Sequence, residues 1–245
     1  MKKKGVALIT GGSGNLGRVI CKSLSKSYDI IATYNKTNLS KNFMKSLEGK
    51  NNLFYKCNLE NEKDIRGLIK KIKKKYKRLD ILINNASYTK NLTKNYILNP
   101  DKRIIKKIMN TNFYSTYFIT SEAIKLMLKS KILEKKNVIF ILSNSLKTLN
   151  ASNIFYTCAK SATETLMKYL AKKYGKKIRF NAISPGLIRT KQTGSRKENI
   201  LKISKITPLG RLANAYDVIN CIDSILNYMT FLNGQNIYLD GGRTV

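Results

Sequence analysis

The 245-residue chain contains no histidine. That excludes Ser-His-Asp triads and histidine general bases and removes the commonest metal ligand, so no metal site is expected. Cysteine is scarce and dispersed. Cys21, Cys57, Cys158 and Cys221 form no CxxC and no disulfide-like spacing, which reads as reduced thiols in a cytoplasmic protein. No segment has the length of a transmembrane helix. The apolar stretch behind Met1-Lys2-Lys3-Lys4 is too short for a signal peptide and runs into glycines, so no membrane partner is expected. No repeat, low-complexity linker or composition break divides the chain, and residues 1–245 read as one domain.

Acidic residues are few: 14 Asp+Glu stand against 47 Lys+Arg, a formal net charge of +33. Such a charge suits nucleic acid, an anionic membrane or an acidic partner. The lysines, however, are spread through 71–77, 125–136 and 172–177 rather than gathered in one arm, and Asn and Ile are abundant everywhere. The charge is therefore read as compositional, and nucleic acid is not the expected partner.

What is present is an alternation. Short apolar runs at 5–9, 29–33, 53–57, 79–83, 137–142, 178–183 and 236–239 are separated by helical patterns at 15–27, 38–48, 61–77, 101–130, 155–174 and 214–227. In the third of these helices, Ile65, Leu68, Ile69 and Ile72 form one stripe among lysines. Such alternation predicts βαβ units and a mainly parallel seven-stranded sheet flanked by helices, a doubly wound α/β domain. The stretch at about 186–207 carries no assigned element and reads as a substrate lid.

A doubly wound sheet binds its ligand beyond the carboxyl ends of its strands. The residues there are small or polar: Thr10–Gly17, Tyr34-Asn35-Lys36, Asn58, Asn84-Asn85-Ala86-Ser87, Ser143-Asn144-Ser145 and Ser184-Pro185-Gly186. In "TGGSGNLG", residues 10–17, glycines sit behind a strand and before a helix, where free backbone N–H groups bind phosphate.

The chemistry concentrates in Ser143, Tyr156 and Lys160. Tyr156 and Lys160, four apart in "YTCAK", share one face of a helix, and Ser143 lies thirteen residues earlier at a strand end. A carbonyl reduction needs a proton donor. Tyrosine is a poor acid near pH 7, and a nearby ammonium improves it. A serine hydroxyl can hold the substrate oxygen meanwhile.

In their order, Thr10-Gly11…Gly17, Asn84-Asn85-Ala86, Asn112, Ser143, Tyr156, Lys160, Pro185-Gly186, Gly234-Gln235 and Asp240-Gly241-Gly242 resemble the short-chain dehydrogenase/reductase family, in its single-domain branch, along essentially the whole chain. The resemblance implies a Rossmann-type fold and a nicotinamide cofactor. It makes Tyr156 the general acid/base, Lys160 the group that lowers its pKa and binds the nicotinamide ribose, and Ser143 the residue that orients the carbonyl. Asn112 would hold a water in a relay to Lys160. It further implies cofactor contacts from Gly11, Ser13, Gly14, Asn15, Leu16, Gly17, Tyr34, Asn35, Lys36, Asn58, Leu59, Asn85 and Ala86. More would come from Tyr156 and Lys160 themselves and from Pro185 and Gly186, with Ile188 and Thr190 at the carboxamide. Homodimers or homotetramers are implied too, through 101–130, 155–174 and the C-terminus, where Phe113, Tyr117, Phe118, Leu126, Leu166, Met167 and Leu170 offer apolar surface.

Three positions depart from the pattern. Asn15 stands where the family usually has glycine, and is tolerated because Asn adopts left-handed backbone. Ser87 replaces a glycine, and Asn58 an aspartate. Thr33-Tyr34-Asn35-Lys36-Thr37 lacks the acid that would hydrogen-bond a ribose 2′-hydroxyl, and Lys36 suits a 2′-phosphate, so NADP(H) is favoured over NAD(H). The lid residues Arg189, Lys191, Arg196, Lys197, Lys202 and Lys205 suit an anionic substrate. "ITPLGRLANAYDV", 206–218, resembles 3-oxoacyl-carrier-protein reductases. The expected activity is reduction of a ketone, with a 3-oxoacyl thioester on an acidic carrier protein as the leading substrate. A sugar-nucleotide or surface-carbohydrate precursor is the alternative, from the Gly11/Gly14/Gly17 spacing. A non-catalytic Rossmann-fold protein binding RNA or another polyanion is the other class.

Overall fold

The computed structural model describes residues 5–49, 51–92, 97–130, 136–189 and 197–245. Seven strands form one sheet: β1 Gly5–Ile9, β2 Tyr28–Tyr34, β3 Leu53–Lys56, β4 Ile81–Asn84, β5 Lys136–Ile141, β6 Ile178–Pro185 and β7 Asn236–Leu239. Their order is β3-β2-β1-β4-β5-β6-β7, and every pairing is parallel. The expected doubly wound fold is what forms. Ile9 pairs with Ala32 on one side and Ile83 on the other, so the chain leaves β1 at the point where the winding reverses.

The central strands are apolar on both faces because helices cover both faces. Val6 and Leu8 enter one core with Val138, Phe140 and Phe180, while Ala7 and Ile9 enter the other with Ile81, Ile83 and Ile139. The first core is closed by α3 Glu62–Tyr76, α5 Ser115–Lys129 and α7 Ile154–Tyr174; the second by α1 Asn15–Leu24 and α9 Ala215–Asn227. The predicted stripe Ile65, Leu68, Ile69 and Ile72 is the buried face of α3. Asn61 caps that helix by accepting the Lys63 N–H, and Lys77 ends it in the left-handed conformation. Beneath the sheet, Arg78 and Asp80 form a buried pair at 2.7 Å, and Asp80 Oδ2 also accepts the Val6 N–H at 2.7 Å.

Four expectations are corrected. The helix at 38–48 shrinks to α2 Lys41–Lys45. The single helix at 101–130 is two, α4 Lys102–Met109 and α5, joined by a five-residue π turn, Asn110–Tyr114. The Asn112 side chain donates to the Ile108 carbonyl at 2.9 Å, and Thr116 and Thr163 donate to the Asn112 carbonyl at 3.0 and 3.1 Å. These bonds hold the widened turn open. The stretch at 186–207 is not all loop: Lys197–Lys205 is a helix, α8, and Ile188 bridges to Ala213. Finally, Leu126 and Met167 are buried in the first core rather than offered as surface, whereas Tyr117 is exposed. Between β5 and α7 runs a short helix, α6 Ser145–Thr148. Among the described residues no helix is long and apolar enough to cross a membrane, and all four cysteines are free.

Candidate active site

A cleft of about 540 Å³ runs along the carboxyl ends of β1, β2, β3 and β4. Thirteen of the expected cofactor residues line it: Gly11, Ser13, Gly14, Asn15, Leu16, Gly17, Tyr34, Asn35, Lys36, Asn58, Leu59, Asn85 and Ala86. Eight more complete its walls: Thr33, Thr37, Cys57 and Ser87, and four that sequence reasoning did not single out, Glu60, Tyr88, Lys107 and Thr111. Thr111 donates to Glu60 at 2.6 Å across the cleft, and Lys107 lies over the Tyr88 ring, 4.8 Å from its centroid. Nothing in local sequence links these groups, which come from separate elements.

The glycine loop is shaped by two requirements. Gly11 has φ 65°, a left-handed turn out of β1. A Cβ on Gly17 would sit 2.2 Å from the Gly11 carbonyl oxygen, so only glycine lets α1 close onto the loop. Gly14 is the N-cap of α1 and supplies no side-chain hydrogen bond, leaving the first N–H groups of the helix open to the cleft. Asn15 opens α1 in ordinary helical backbone; no left-handed conformation is needed there. The cradle thus fits the pyrophosphate of a dinucleotide.

The loop is braced from neighbouring strands. Gly11 N–H donates to Thr33 Oγ1 at 3.1 Å, and Gly12 N–H to the Thr33 carbonyl at 2.7 Å. Asn85 Nδ2 donates to the Thr10 and Gly11 carbonyls at 2.9 and 3.2 Å, while Thr10 Oγ1 accepts the N–H groups of Asn85 and Ala86 at 3.0 Å each. Asn58 Oδ1 accepts from Asn35 Nδ2 at 3.5 Å and from the Glu60 N–H at 3.2 Å. Lys36 is exposed on the cleft wall.

The Ser143, Tyr156 and Lys160 group is assembled around α7. Its N-cap Asn153 accepts the Tyr156 N–H at 2.8 Å and donates to the Lys90 carbonyl at 2.9 Å, tying the helix start to the loop after β4. The hydroxyls of Ser143 and Ser87 are near enough to the Tyr156 phenol to favour its ionised form. Ser143 Oγ also accepts the Ser145 N–H at 3.1 Å. One turn along α7, Lys160 Nζ donates to the Ile141 carbonyl at 2.8 Å and lies 5.5 Å from the Tyr156 ring centroid. Burial raises the Tyr156 phenol above its usual range, opposed by the two serine hydroxyls, and lowers the Lys160 ammonium to about 8. Tyr156 therefore carries its proton at neutral pH, as a proton donor must.

Asn112 is buried in the π turn. Its Nδ2 donates to the Tyr88 and Ile108 carbonyls at 2.6 and 2.9 Å, and its Oδ1 accepts from Ser87 Oγ at 2.7 Å and the Tyr88 N–H at 3.3 Å. Its amide is committed to the loop that follows β4. Pro185 and Gly186 lie at the end of β6 and hold it to neighbouring strands, through Pro185 O to the Asn144 N–H and Gly186 N–H to Leu239 O. Ile188 packs against the second core and does not line the cleft. Thr190 lies outside the described residues.

A doubly wound domain with a phosphate-binding turn and a serine–tyrosine–lysine group at the same edge defines a nicotinamide-dependent oxidoreductase. The chain belongs to the short-chain dehydrogenase/reductase family: the model described as "Enoyl-(Acyl carrier protein) reductase" matches residues 13–244. A 3-oxoacyl-[acyl-carrier-protein] reductase of Buchnera aphidicola is 30% identical over 98% of this chain and 97% of its own. Among solved structures, a 3-oxoacyl-[acyl-carrier protein] reductase of Brucella melitensis in complex with NAD superposes with a TM-score of 0.88 at 22% identity, covering 100% of this chain and 98% of that one. A tyrosine-to-phenylalanine variant of ElxO with NADPH bound does so at 0.85 and 27% identity, covering 98% and 99%.

Proposed function

We propose that this oxidoreductase reduces 3-oxoacyl thioesters to 3-hydroxyacyl thioesters with NADPH, Tyr156 serving as the acid. The observation that carries the reading is the Lys160 ammonium 5.5 Å from the ring centroid of Tyr156, one helical turn away on α7, with the Ser143 hydroxyl near the phenol. A nicotinamide cofactor held by the Gly11–Gly17 loop would supply hydride to the carbonyl carbon. Tyr156 Oη gives its proton to the carbonyl oxygen as charge develops there. Ser143 Oγ holds that oxygen beside the phenol, and Lys160 holds positive charge below the ring that steadies the phenolate left behind. Asn112 acts by position, fixing Ser87 and Tyr88. A site with two hydroxyls converging on one oxygen suits a ketone, which takes its proton on oxygen, better than an enoyl group, which takes it on carbon.

The cofactor preference rests on Lys36 and on the lack of an acid at 34–36. The substrate reading rests on the 3-oxoacyl relatives and on the exposed cations Arg189, Lys202 and Lys205 of the 186–207 stretch, which suit an acidic carrier. Exposed Tyr117 and Tyr169, on α5 and α7, support self-association through those helices. The free thiols suit a reducing compartment.

Fluorescence titration with NADPH and NADH, followed by turnover of acetoacetyl-CoA, tests the reading. NADPH is expected to bind the more tightly. Lys36→Glu is expected to weaken NADPH by about tenfold or more and to leave NADH nearly unchanged. Equal losses for both nucleotides would remove Lys36 from the 2′-phosphate. Failure to reduce any 3-oxoacyl thioester with NADPH bound would sink the substrate assignment.

A further inference from the structure

Glu60 is the one acidic side chain among the described residues that line the cofactor cleft. Acids are scarce in this chain, and a carboxylate in a cleft shaped for pyrophosphate repels its ligand unless the ligand brings a donor to it. Its position is fixed from both sides. The Glu60 N–H donates to Asn58 Oδ1 at 3.2 Å, closing a turn just after β3. Glu60 Oε1 accepts the Thr111 hydroxyl at 2.6 Å, from the π turn across the cleft. Glu60 Oε2 has no hydrogen bond or ion pair among the described residues. One oxygen is anchored and the other is left to accept.

The sheet order says which part of a dinucleotide comes to that wall. With its pyrophosphate at the Gly11–Gly17 turn and its nicotinamide toward Tyr156, beyond β4 and β5, the cofactor extends its other half toward β2 and β3. The ribose follows the pyrophosphate directly and falls to the end of β2, where Tyr34, Asn35 and Lys36 line the cleft. The base, one unit further, falls to the end of β3, the next strand outward, about 5 Å away. Asn58 also stands there, but its amide oxygen already takes the Glu60 N–H at 3.2 Å and Asn35 Nδ2 at 3.5 Å. The acceptor left for the base is Glu60 Oε2.

We propose that Glu60 selects the purine of the cofactor: its free oxygen accepts a hydrogen bond from the 6-amino group of adenine, while Thr111 holds the carboxylate in place. A carboxylate oxygen only accepts. Hypoxanthine, the same ring system with a carbonyl oxygen at position 6, sets one acceptor against another there. Thr111 acts by position, through Glu60. The proposal rests on the use of a nicotinamide dinucleotide and not on the choice between NADPH and NADH, which carry the same base.

Fluorescence titrations that compare each reduced dinucleotide with its deamino analogue, in which hypoxanthine replaces adenine, test it. Wild type is expected to bind NADPH about tenfold more tightly than deamino-NADPH, and NADH by a similar factor over deamino-NADH. Glu60→Gln, whose amide donates as well as accepts, is expected to bring both ratios within about threefold. Thr111→Val, which frees the carboxylate, is expected to lower them part of the way. Glu60 is exposed on a turn, so its variant reports binding rather than folding. A wild type that binds both bases alike, or a Glu60→Gln protein that keeps the wild-type ratios, overturns the proposal and leaves the dinucleotide site standing. A wild type that binds neither NADPH nor NADH overturns that site, and the proposal with it.

Discussion

The two halves of the crevice are built from different materials. The cofactor half, after β1, β2 and β3, is made of backbone and small side chains: Gly11, Gly14 and Gly17, braced by Thr10, Thr33 and Asn85. The proposed catalytic half, after β4 and β5, is made of side chains that carry protons, with the Ser143 and Ser87 hydroxyls near the buried Tyr156 and Lys160 held on the Ile141 carbonyl. One half works by leaving space, the other by filling it. A change in the first is felt as a clash, and a change in the second as a shifted proton.

The largest expected effect breaks this contrast if it fails. Tyr156→Phe keeps the ring and removes one oxygen. Turnover of acetoacetyl-CoA should fall by about 10²- to 10⁴-fold, with NADPH affinity changed only a few-fold. Loss of binding to the same extent would mean that Tyr156 holds the cofactor rather than the proton.

Gly17→Ala is the converse. The new methyl meets the Gly11 carbonyl at 2.2 Å, so the loop or α1 must move. Overpacking of this kind costs about 1–3 kcal/mol, and NADPH affinity should weaken by about tenfold or more. The NMR resonance of Tyr156, labelled at Cζ with carbon-13, should not shift. A shift would show that the halves are coupled through the Asn85 brace.

The contrast also explains what was legible in the sequence. Strands buried on both faces read as plain apolar runs, so five of seven were placed within about a residue at each end, although β4 starts at Ile81 rather than Leu79 because Asp80 is occupied with Arg78 and Val6. Glycine turns and strand-end polar residues are local signals, and they located the cofactor half. The π turn was invisible because part of its support, Thr163, comes from another helix, 51 residues along the chain. Helix α8 was missed because it presents few apolar residues, with Ile200 and Ile203 at best half-buried. Ser87 was noticed only as a departure, since its partner Asn112 lies 25 residues away along the chain.

The pH dependence sharpens the catalytic side. Burial lowers Lys160 to about 8, so its ammonium is charged below that pH and neutral above it. The charged form steadies the phenolate, and kcat/KM for reduction in the free enzyme should fall by about tenfold per pH unit above pH 8. Lys160→Arg should lose that limb, because a guanidinium stays charged. A wild-type profile flat through pH 9 would take the charge on Lys160 out of catalysis.

The smallest effect concerns the support behind the catalytic half. The single Thr163 hydroxyl hydrogen is shared between the Asn112 carbonyl at 3.1 Å and the Ala159 carbonyl at 2.9 Å, while Thr116 donates to the same Asn112 oxygen at 3.0 Å. Thr163→Val keeps the shape and leaves Asn112 one of its two donors. The cost should be about 1 kcal/mol, or a melting temperature lower by about 2–4 °C. Thr116→Val should cost about as much. The double variant should lose more than the sum, because only then is a buried carbonyl left without either hydroxyl. Calorimetry on the four proteins measures that coupling. Strict additivity would mean that the two threonines do not share the π turn, and that Asn112 is held by its side chain alone.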